Sequence, residues 1–207
     1  MPVGVSSAPS SSGRPAALPQ DLIWRLNVEQ YHAMIRTGIV TEEDPVELLE
    51  GWLVYKMPQN PPPRVATRLA QTALERIIPA GWYVDTQAPI TLVDSEPEPD
   101  VVVVRDEPRT YLDRHPGPQD VALVVEVADT TLLRDQGAKK RLYARAGVPT
   151  YWIINLPDRR CEEYTDPLSG AEEPDYQQRH DYGISDEIPF VIDAKEVGRL
   201  TVAELLP

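Results

Sequence analysis

Two acidic residues lie in segments of the chain that are otherwise aliphatic. Asp100 precedes four consecutive valines, and Glu126 lies inside the aliphatic run 122–128. Short runs rich in β-branched residues and bounded by Pro, Asp or Gly are typical of interior β-strands. An ionised carboxylate in such a strand costs several kcal/mol unless it is neutralised, hydrogen-bonded or bound to a cation. We therefore expect Asp100 and Glu126 to share one divalent metal ion.

A lysine that follows the second acidic strand completes the set. Residues 134–146 have a helical pattern, with Gly147 as the C-terminal cap and Pro149 as the stop. At helical spacing Lys139 shares a face with three residues that should pack on the sheet. They are Leu142, Tyr143 and Ala146. The pattern therefore predicts that the Lys139 ammonium group points inward.

Two acids on strands and one inward lysine are the minimal set for metal-dependent hydrolysis of a phosphodiester bond. Carboxylates hold Mg²⁺, and an ammonium group can position the attacking water and the scissile phosphate. Two structural alternatives stay open. Glu126 and Lys139 could form a buried salt bridge without a metal, or Lys139 could extend past the sheet edge and pair with Asp135. A glycosidase-like carboxylate pair is a third interpretation, and it needs no inward lysine.

Residues 46–155 resemble the Uma-two (Uma2) family of restriction-endonuclease-like proteins, within the PD-(D/E)XK nuclease superfamily. The matching motifs are ELLEG at 47–51, EPDV at 98–101, VVEV at 124–127, RDQGAK at 134–139 and YARAGVPTYWII at 143–154. The resemblance implies that Asp100 and Glu126 bind the metal and that Lys139 is the catalytic lysine. The superfamily pattern puts this lysine two residues after the second acid, where the chain has Ala128. The resemblance therefore implies a lysine that has moved to the following helix.

The same resemblance implies a Mg²⁺ or Mn²⁺ cofactor, DNA as the substrate and a homodimer as one arrangement of the active enzyme. It also allows Glu47 to approach the metal. The chain departs from the family pattern at two positions, with Trp52 where members often have an acid and Arg64 near a position where they often have histidine. A catalytically inactive nuclease-fold protein that binds nucleic acid or joins a complex is therefore the alternative hypothesis.

The length and composition fit one packed domain. The chain has 207 residues, of which 42% are hydrophobic. This is enough for one hydrophobic core, and the chain is short for two domains. Residues 1–20 are rich in Ser, Pro, Ala and Gly, a composition that buries too little apolar area to offset ordering entropy. We expect a flexible tail at 1–20 and a single restriction-endonuclease-like domain at 21–207.

The charge of the chain argues against a general nucleic-acid-binding surface. The net charge is −13, whereas proteins that bind phosphates broadly are usually basic. The acidic excess is uneven, since five of the twelve residues at 134–145 are basic. A nuclease would therefore have to bind DNA through a local patch.

Cysteine and histidine usage excludes several other site types. The single Cys161 cannot form an internal disulfide, and this fits a cytoplasmic location. The histidines at 32, 115 and 180 lie in unrelated contexts, so we predict no histidine metal motif. No segment approaches the ~20 apolar residues that a membrane span requires.

The predicted elements give an α/β or α+β fold with a mixed β-sheet flanked by helices. Before the acidic strands we predict a helix at 28–37 capped by Asn27, two strands within 46–57, an extended proline-rich link at 58–63, a helix at 64–78, and a strand at 82–93 with a break at Pro89. The two acidic strands and the Lys139 helix follow. After them we predict strands at 151–156 and 160–164, an edge strand within 166–182, and closing segments at 190–192 and 197–206.

Overall fold

The computed structural model of the protein describes residues 22–56 and 60–207. The α-helices are α1 (Val28–Arg36), α2 (Pro61–Glu75), α3 (Leu132–Arg134) and α4 (Lys140–Ala146), and a π-helical turn, Asp135–Lys139, joins α3 to α4. The strands are β1 (Val46–Leu49), β2 (Trp52–Tyr55), β3 (Trp82–Asp85), β4 (Val101–Arg105), β5 (Val121–Ala128), β6 (Thr150–Asn155), β7 (Arg160–Pro167), β8 (Tyr176–Gly183), β9 (Glu187–Ile192) and β10 (Lys195–Thr201). Short 3₁₀ turns lie at Pro108–Tyr111, Pro118–Asp120 and Val202–Glu204.

A six-stranded mixed sheet positions the acidic residues. Its strand order is β3-β4-β5-β6-β7-β8, in which β5 and β6 are parallel and the other neighbours are antiparallel. A parallel pair requires a crossover connection. This connection is the crossover segment, which consists of α3, the π-helical turn and α4. The predicted mixed sheet flanked by helices is confirmed.

Both faces of the central strands β4, β5 and β6 are covered, which explains why these strands are aliphatic. All eight residues of β5 are buried. Alternate residues of β4 belong to different cores: Val101 and Val103 pack with α2, and Val102 and Val104 pack with α4. A strand buried on both faces has a continuous hydrophobic run instead of an alternating one. A carboxylate in such a strand lies inside the protein and not at its surface.

Three predicted elements were wrong in their bounds. The extended link predicted at 58–63 is wrong at 61–63, which form the first turn of α2. Proline is tolerated there because the N–H groups of a first helical turn have no partner within the helix, so the missing N–H of proline costs no hydrogen bond. The same helix ends at Glu75, and the strand predicted at 82–93 ends at Asp85. The prediction for 1–20 and that for 57–59 fall outside the described residues.

The closing segment predicted at 190–192 is part of β9, the one at 197–206 covers most of β10 and the 3₁₀ turn after it, and the remaining predicted elements are present close to their predicted bounds. Asn27 caps α1 as predicted, and its side chain accepts a hydrogen bond from the backbone N–H of Gln30. Gly147 ends α4 in the left-handed conformation. In residues 22–56 and 60–207 there is no helix with both the length and the apolar character that crossing a membrane requires.

Candidate active site

The register between β4 and β5 sets Asp100 beside Glu126. Val101 pairs with Val125, so one further antiparallel step puts Asp100 opposite Glu126. Residues directly opposite each other on antiparallel strands direct their side chains to the same face. Glu126 alternates with Val124 and Ala128, which pack on the α4 side of the sheet. The two acids therefore share one face, and the crossover segment covers that face.

The backbone of β5 holds the Asp100 carboxylate in place. Asp100 Oδ2 accepts a hydrogen bond of 2.7 Å from the N–H of Val127, the residue after Glu126. Burial raises the pKa of Asp100, although this hydrogen bond and the nearby Lys139 ammonium act in the opposite direction. The two acids are thus positioned by contacts within the sheet.

Lys139 points inward and contacts the second acid. Its side chain is 3% exposed, and its Nζ lies 2.7 Å from Glu126 Oε1 and 3.8 Å from Glu47 Oε1. Burial favours the neutral amine, but the carboxylates of Glu126, Glu47 and Asp135 outweigh it and raise the pKa of Lys139. The inward direction predicted from helical spacing is observed, and Lys139 forms a buried ion pair with Glu126. The extension past the sheet edge is not observed.

Lys139 is the last residue of the π-helical turn in the crossover segment. A π-helical turn adds a residue to the helical repeat and is frequent at functional sites. It changes the rotation between the residues before it and those after it. Lys139 and Tyr143 nevertheless both face the sheet, because α4 is regular from Lys140 onward.

Tyr143 belongs to the site, although the sequence indicated only packing for it. Its hydroxyl donates a hydrogen bond of 2.7 Å to Glu126 Oε1, the oxygen that Lys139 also contacts. Burial raises the pKa of Glu126 to about 8, and Lys139 offsets only part of this effect. Lys139 and Tyr143 both donate to Oε1, and Oε2 is the oxygen of Glu126 that could accept a further ligand. The four-residue spacing from Lys139 was the signal in the sequence that could have identified Tyr143.

Glu47 reaches the same region from the β1–β2 hairpin. It is 2% exposed, and its Oε2 accepts a hydrogen bond of 3.1 Å from the N–H of Glu98. The turn of the hairpin is fixed by the backbone of Gly51, which donates to Asp94 O and accepts from Leu26 N. The hairpin therefore brings a third carboxylate to Lys139.

Asp135 is a fourth acid near the site and is buried, and the sequence indicated only that it is an alternative partner of Lys139. Its Oδ2 accepts a hydrogen bond of 2.6 Å from the Thr131 hydroxyl. Its buried Oδ1 has no hydrogen bond within the described part of the chain, and neither has the buried Nε of Arg134, 3.7 Å away. Burial raises the pKa of Asp135. The Arg134 Nε and Asp135 Oδ1 atoms are therefore buried polar atoms without hydrogen-bond partners in the described part of the chain.

A cavity of about 730 Å³ opens beside the acids. Its carboxyl-bearing lining residues are Glu47, Glu98, Asp100, Glu126 and Asp129, and its basic ones are Lys56, Arg64, Arg134 and Lys139. Arg64, which departs from the family pattern, is therefore a lining residue at the start of α2. Trp52 instead lies beneath the Arg25 guanidinium, 5.6 Å from its ring centroid. The cavity is large enough for a hydrated cation and a phosphate group.

Comparisons with known proteins agree with this fold and geometry. A family model named Uma2, with the description "Putative restriction endonuclease", matches residues 28–192. The chain belongs to the Uma2 family. No curated protein matches this Uma2 chain.

A solved structure is similar to this Uma2 protein over most of its length. It is described as a "putative nuclease belonging to DUF820" from Anabaena variabilis ATCC 29413. The TM-score is 0.60 at 14% sequence identity, over 82% of this chain and 94% of that one. The similarity shows a shared fold. The expected family and fold are thus confirmed, and the roles of the site residues stay predictions.

The structure corrects the prediction for two of the histidines. The ligating atoms of His32, Glu96 and His115 lie within 4.8 Å of one another. No local pattern predicted this group, because Glu96 is 64 residues from His32 along the chain. His180, by contrast, packs on Tyr182 in β8, with ring centroids 4.4 Å apart.

Proposed function

We propose that this Uma2 protein is a Mg²⁺- or Mn²⁺-dependent endonuclease that hydrolyses phosphodiester bonds of DNA. The observation that carries the proposal is the convergence of Asp100, Glu126 and Lys139 on one face of the sheet, at the wall of a cavity. The family description and the nuclease-like neighbour support the same class of reaction.

The donor set fits a hard divalent cation. Asp100 and Glu126 offer carboxylate oxygens, the ligand type that Mg²⁺ and Mn²⁺ prefer, and Glu47, whose Oε1 is 3.8 Å from Lys139 Nζ, would contribute through water. Burial raises the pKa of both Asp100 and Glu126, so without a cation at least one of them resists ionisation. A bound divalent ion would favour the ionised pair, activate a water molecule and neutralise charge on the phosphate.

The protein side chains have separate roles in this proposal. Tyr143 and Lys139 orient Glu126 through Oε1, and the Val127 N–H orients Asp100. The Lys139 ammonium group is held in place before substrate binds, so it can stabilise negative charge that develops on the phosphate without reorganisation.

The cavity also explains how an acidic protein could bind DNA. Among the described residues, five carboxyl and four basic side chains line it. A bound divalent cation would therefore make the local charge positive, although the whole chain carries −13. Lys56, Arg64 and Arg134 are the residues that we expect to contact DNA phosphates beside the scissile bond.

A non-catalytic role is the competing proposal, and one observation favours it. Glu126 already has two donors on Oε1, so the buried pair with Lys139 is satisfied without a cation. In that case the site would be a structural salt bridge and the domain a binding module. The two proposals differ in whether the acids bind a divalent ion.

Calorimetric titration of Mn²⁺ into wild type and Asp100→Asn separates them. We expect one Mn²⁺ to bind wild type and Asp100→Asn to lose binding at the same concentration. The matched control is Asp106→Asn, an exposed acid just beyond the other end of β4, which should bind as wild type does. Plasmid nicking with the three proteins gives the activity. The metal-dependent mechanism would be overturned if wild type bound no Mn²⁺, or if Asp100→Asn cut the plasmid as well as wild type does.

A further inference from the structure

A second group of metal-ligating side chains lies outside the candidate active site. It consists of His32 from α1, Glu96 from the segment before β4, and His115 from the loop between β4 and β5. His32 Nε2 is 2.7 Å from Glu96 Oε2, and the His32 and His115 rings meet edge-on with centroids 6.2 Å apart. Glu96 is buried, His32 is partly exposed and His115 is exposed. Three distant parts of the chain therefore bring their donor atoms to one point.

The donor types match zinc and not magnesium. Two imidazoles and one carboxylate form a set found in zinc sites that keep a fourth position open, whereas Mg²⁺ prefers oxygen ligands. Bonds of about 2.0–2.2 Å in a tetrahedron put donor atoms roughly 3.4 Å apart. The present spacings bracket that value, from 2.7 Å between His32 and Glu96 up to 4.8 Å. Binding of an ion would therefore require the His32–Glu96 pair to separate slightly and the more distant donor atoms to approach each other.

Supporting contacts hold the carboxylate ligand in position. The Thr91 hydroxyl donates a hydrogen bond of 2.7 Å to Glu96 Oε2. The Glu96 N–H donates to Leu48 O, and the Thr91 N–H donates to Pro116 O beside His115. Ligands of known metal sites are oriented by hydrogen bonds of this kind. The Thr91 hydroxyl therefore orients the Glu96 carboxylate, and backbone hydrogen bonds connect this segment to β1 and to the loop that carries His115.

The open side of the group faces a second cleft. This cleft has a volume of about 620 Å³, and both histidines line it together with Arg36, Tyr111, Arg114 and Gln119. Water or an anionic or nucleophilic small ligand could therefore reach the fourth position of a bound ion from this cleft.

We propose that His32, Glu96 and His115 form a Zn²⁺ site that is separate from the Asp100–Glu126 site. The ion joins α1 to the segments that carry Thr91 and His115, and its fourth position faces the cleft. The proposal does not depend on nuclease activity, because no residue of this group lines the cavity that holds the acids. Its alternative is a hydrogen bond between His32 and Glu96 with His115 as an uninvolved neighbour.

Zinc titration in an Asp100→Asn background tests the site alone, since the carboxylate site is then weakened. We expect one Zn²⁺ per chain, and His32→Asn or His115→Asn should lower affinity by at least the roughly 10- to 100-fold lost when a supporting group is removed from a known site. Thr91→Val should weaken binding on the order of 10-fold. The matched control is His180→Asn, a histidine in β8, which should bind zinc as the parent does.

A second readout keeps the test decisive if a variant folds poorly. In NMR spectra of the parent protein, Zn²⁺ should shift the imidazole resonances of His32 and His115 and leave those of His180 unchanged. Replacement of zinc by Co²⁺ should give the intense visible absorption of a tetrahedral ion. Unchanged His32 and His115 resonances, or equal zinc affinity in His115→Asn and the parent, would overturn the proposal.

Discussion

Replacement of Lys139 by methionine isolates the electrostatics of the buried cluster. Methionine keeps the apolar length of the side chain and removes its charge. Opposite unit charges 2.7 Å apart attract by about 6 kcal/mol at an effective dielectric of ~20, and at the 3.8 Å of Glu47 by about 4 kcal/mol. Desolvation cancels part of this attraction. The loss of one partner from a buried ion pair typically costs about 3–5 kcal/mol, and we expect Lys139→Met to lose up to that much stability above about pH 8, where Glu126 is ionised beside Lys139.

The cost should increase with pH. The pKa of Glu126 is raised to about 8, so between its ordinary value of about 4.5 and about 8 the folded state holds a proton that the unfolded state has released. Stability therefore decreases as pH rises across that window. Removal of Lys139 raises the Glu126 pKa further, and the loss then continues above about pH 8. The pKa of Lys139 is itself raised, so its contribution is fully present below its ordinary value and adds no slope in this range.

Urea unfolding followed by circular dichroism at about pH 6 and about pH 9 measures these costs. The matched control is Lys140→Met, because the neighbouring Lys140 is partly exposed and pairs with Asp175 outside the cluster, and such pairs contribute about 0–1 kcal/mol. Glu126→Gln combined with Lys139→Met should be more stable than Lys139→Met alone. Mn²⁺ should restore stability to Lys139→Met, since it binds the folded, ionised acids. DNA cleavage should fall by a factor on the order of 10² or more.

The reasoning is refuted if Lys139→Met is as stable as Lys140→Met at both pH values. It is also refuted if the cost is larger at the lower pH. The first result would mean that Lys139 acts only in packing, and the second would mean that removal of Lys139 does not raise the Glu126 pKa.

Three further variants test individual contacts. Tyr143→Phe removes one donor from Glu126, so it should cost roughly 1–2 kcal/mol in unfolding experiments and weaken Mn²⁺ binding on the order of 10-fold in calorimetry. Gly51→Ala should lower stability by about 1–3 kcal/mol, because φ is +81° and the new Cβ would lie 2.9 Å from the Leu26 carbonyl oxygen; Gly137→Ala, with open space around it, should not be destabilised. Glu162→Gln should destabilise by about 1–3 kcal/mol above pH 5 and by less in acid. Burial opposes ionisation of Glu162, but surrounding hydrogen-bond donors outweigh it and lower its pKa, so its contribution is lost as pH falls through the folded value. Equal effects of Gly51→Ala and Gly137→Ala, no change in Mn²⁺ affinity for Tyr143→Phe, or a larger cost of Glu162→Gln in acid would each contradict the corresponding contact.

Local patterns in the sequence were sufficient for the central buried strands and for the inward direction of Lys139. The aliphatic runs around Asp100 and Glu126 predicted buried strands, and helical spacing predicted the inward Lys139. These features depend on the backbone period within one element, and the sequence specifies that period directly. The proline-rich segment was ambiguous because proline fits both an extended link and the first turn of a helix.

Contacts between distant elements were decided only by the tertiary structure. The β4–β5 register sets Asp100 opposite Glu126, and the hairpin adds Glu47. The meeting of His32, Glu96 and His115 depends in the same way on how α1 and two loops pack together. The sequence fixes the direction in which each side chain leaves its own backbone, since that direction is set by local dihedral angles. The distance between two side chains depends on the packing of whole elements, and no local period encodes it.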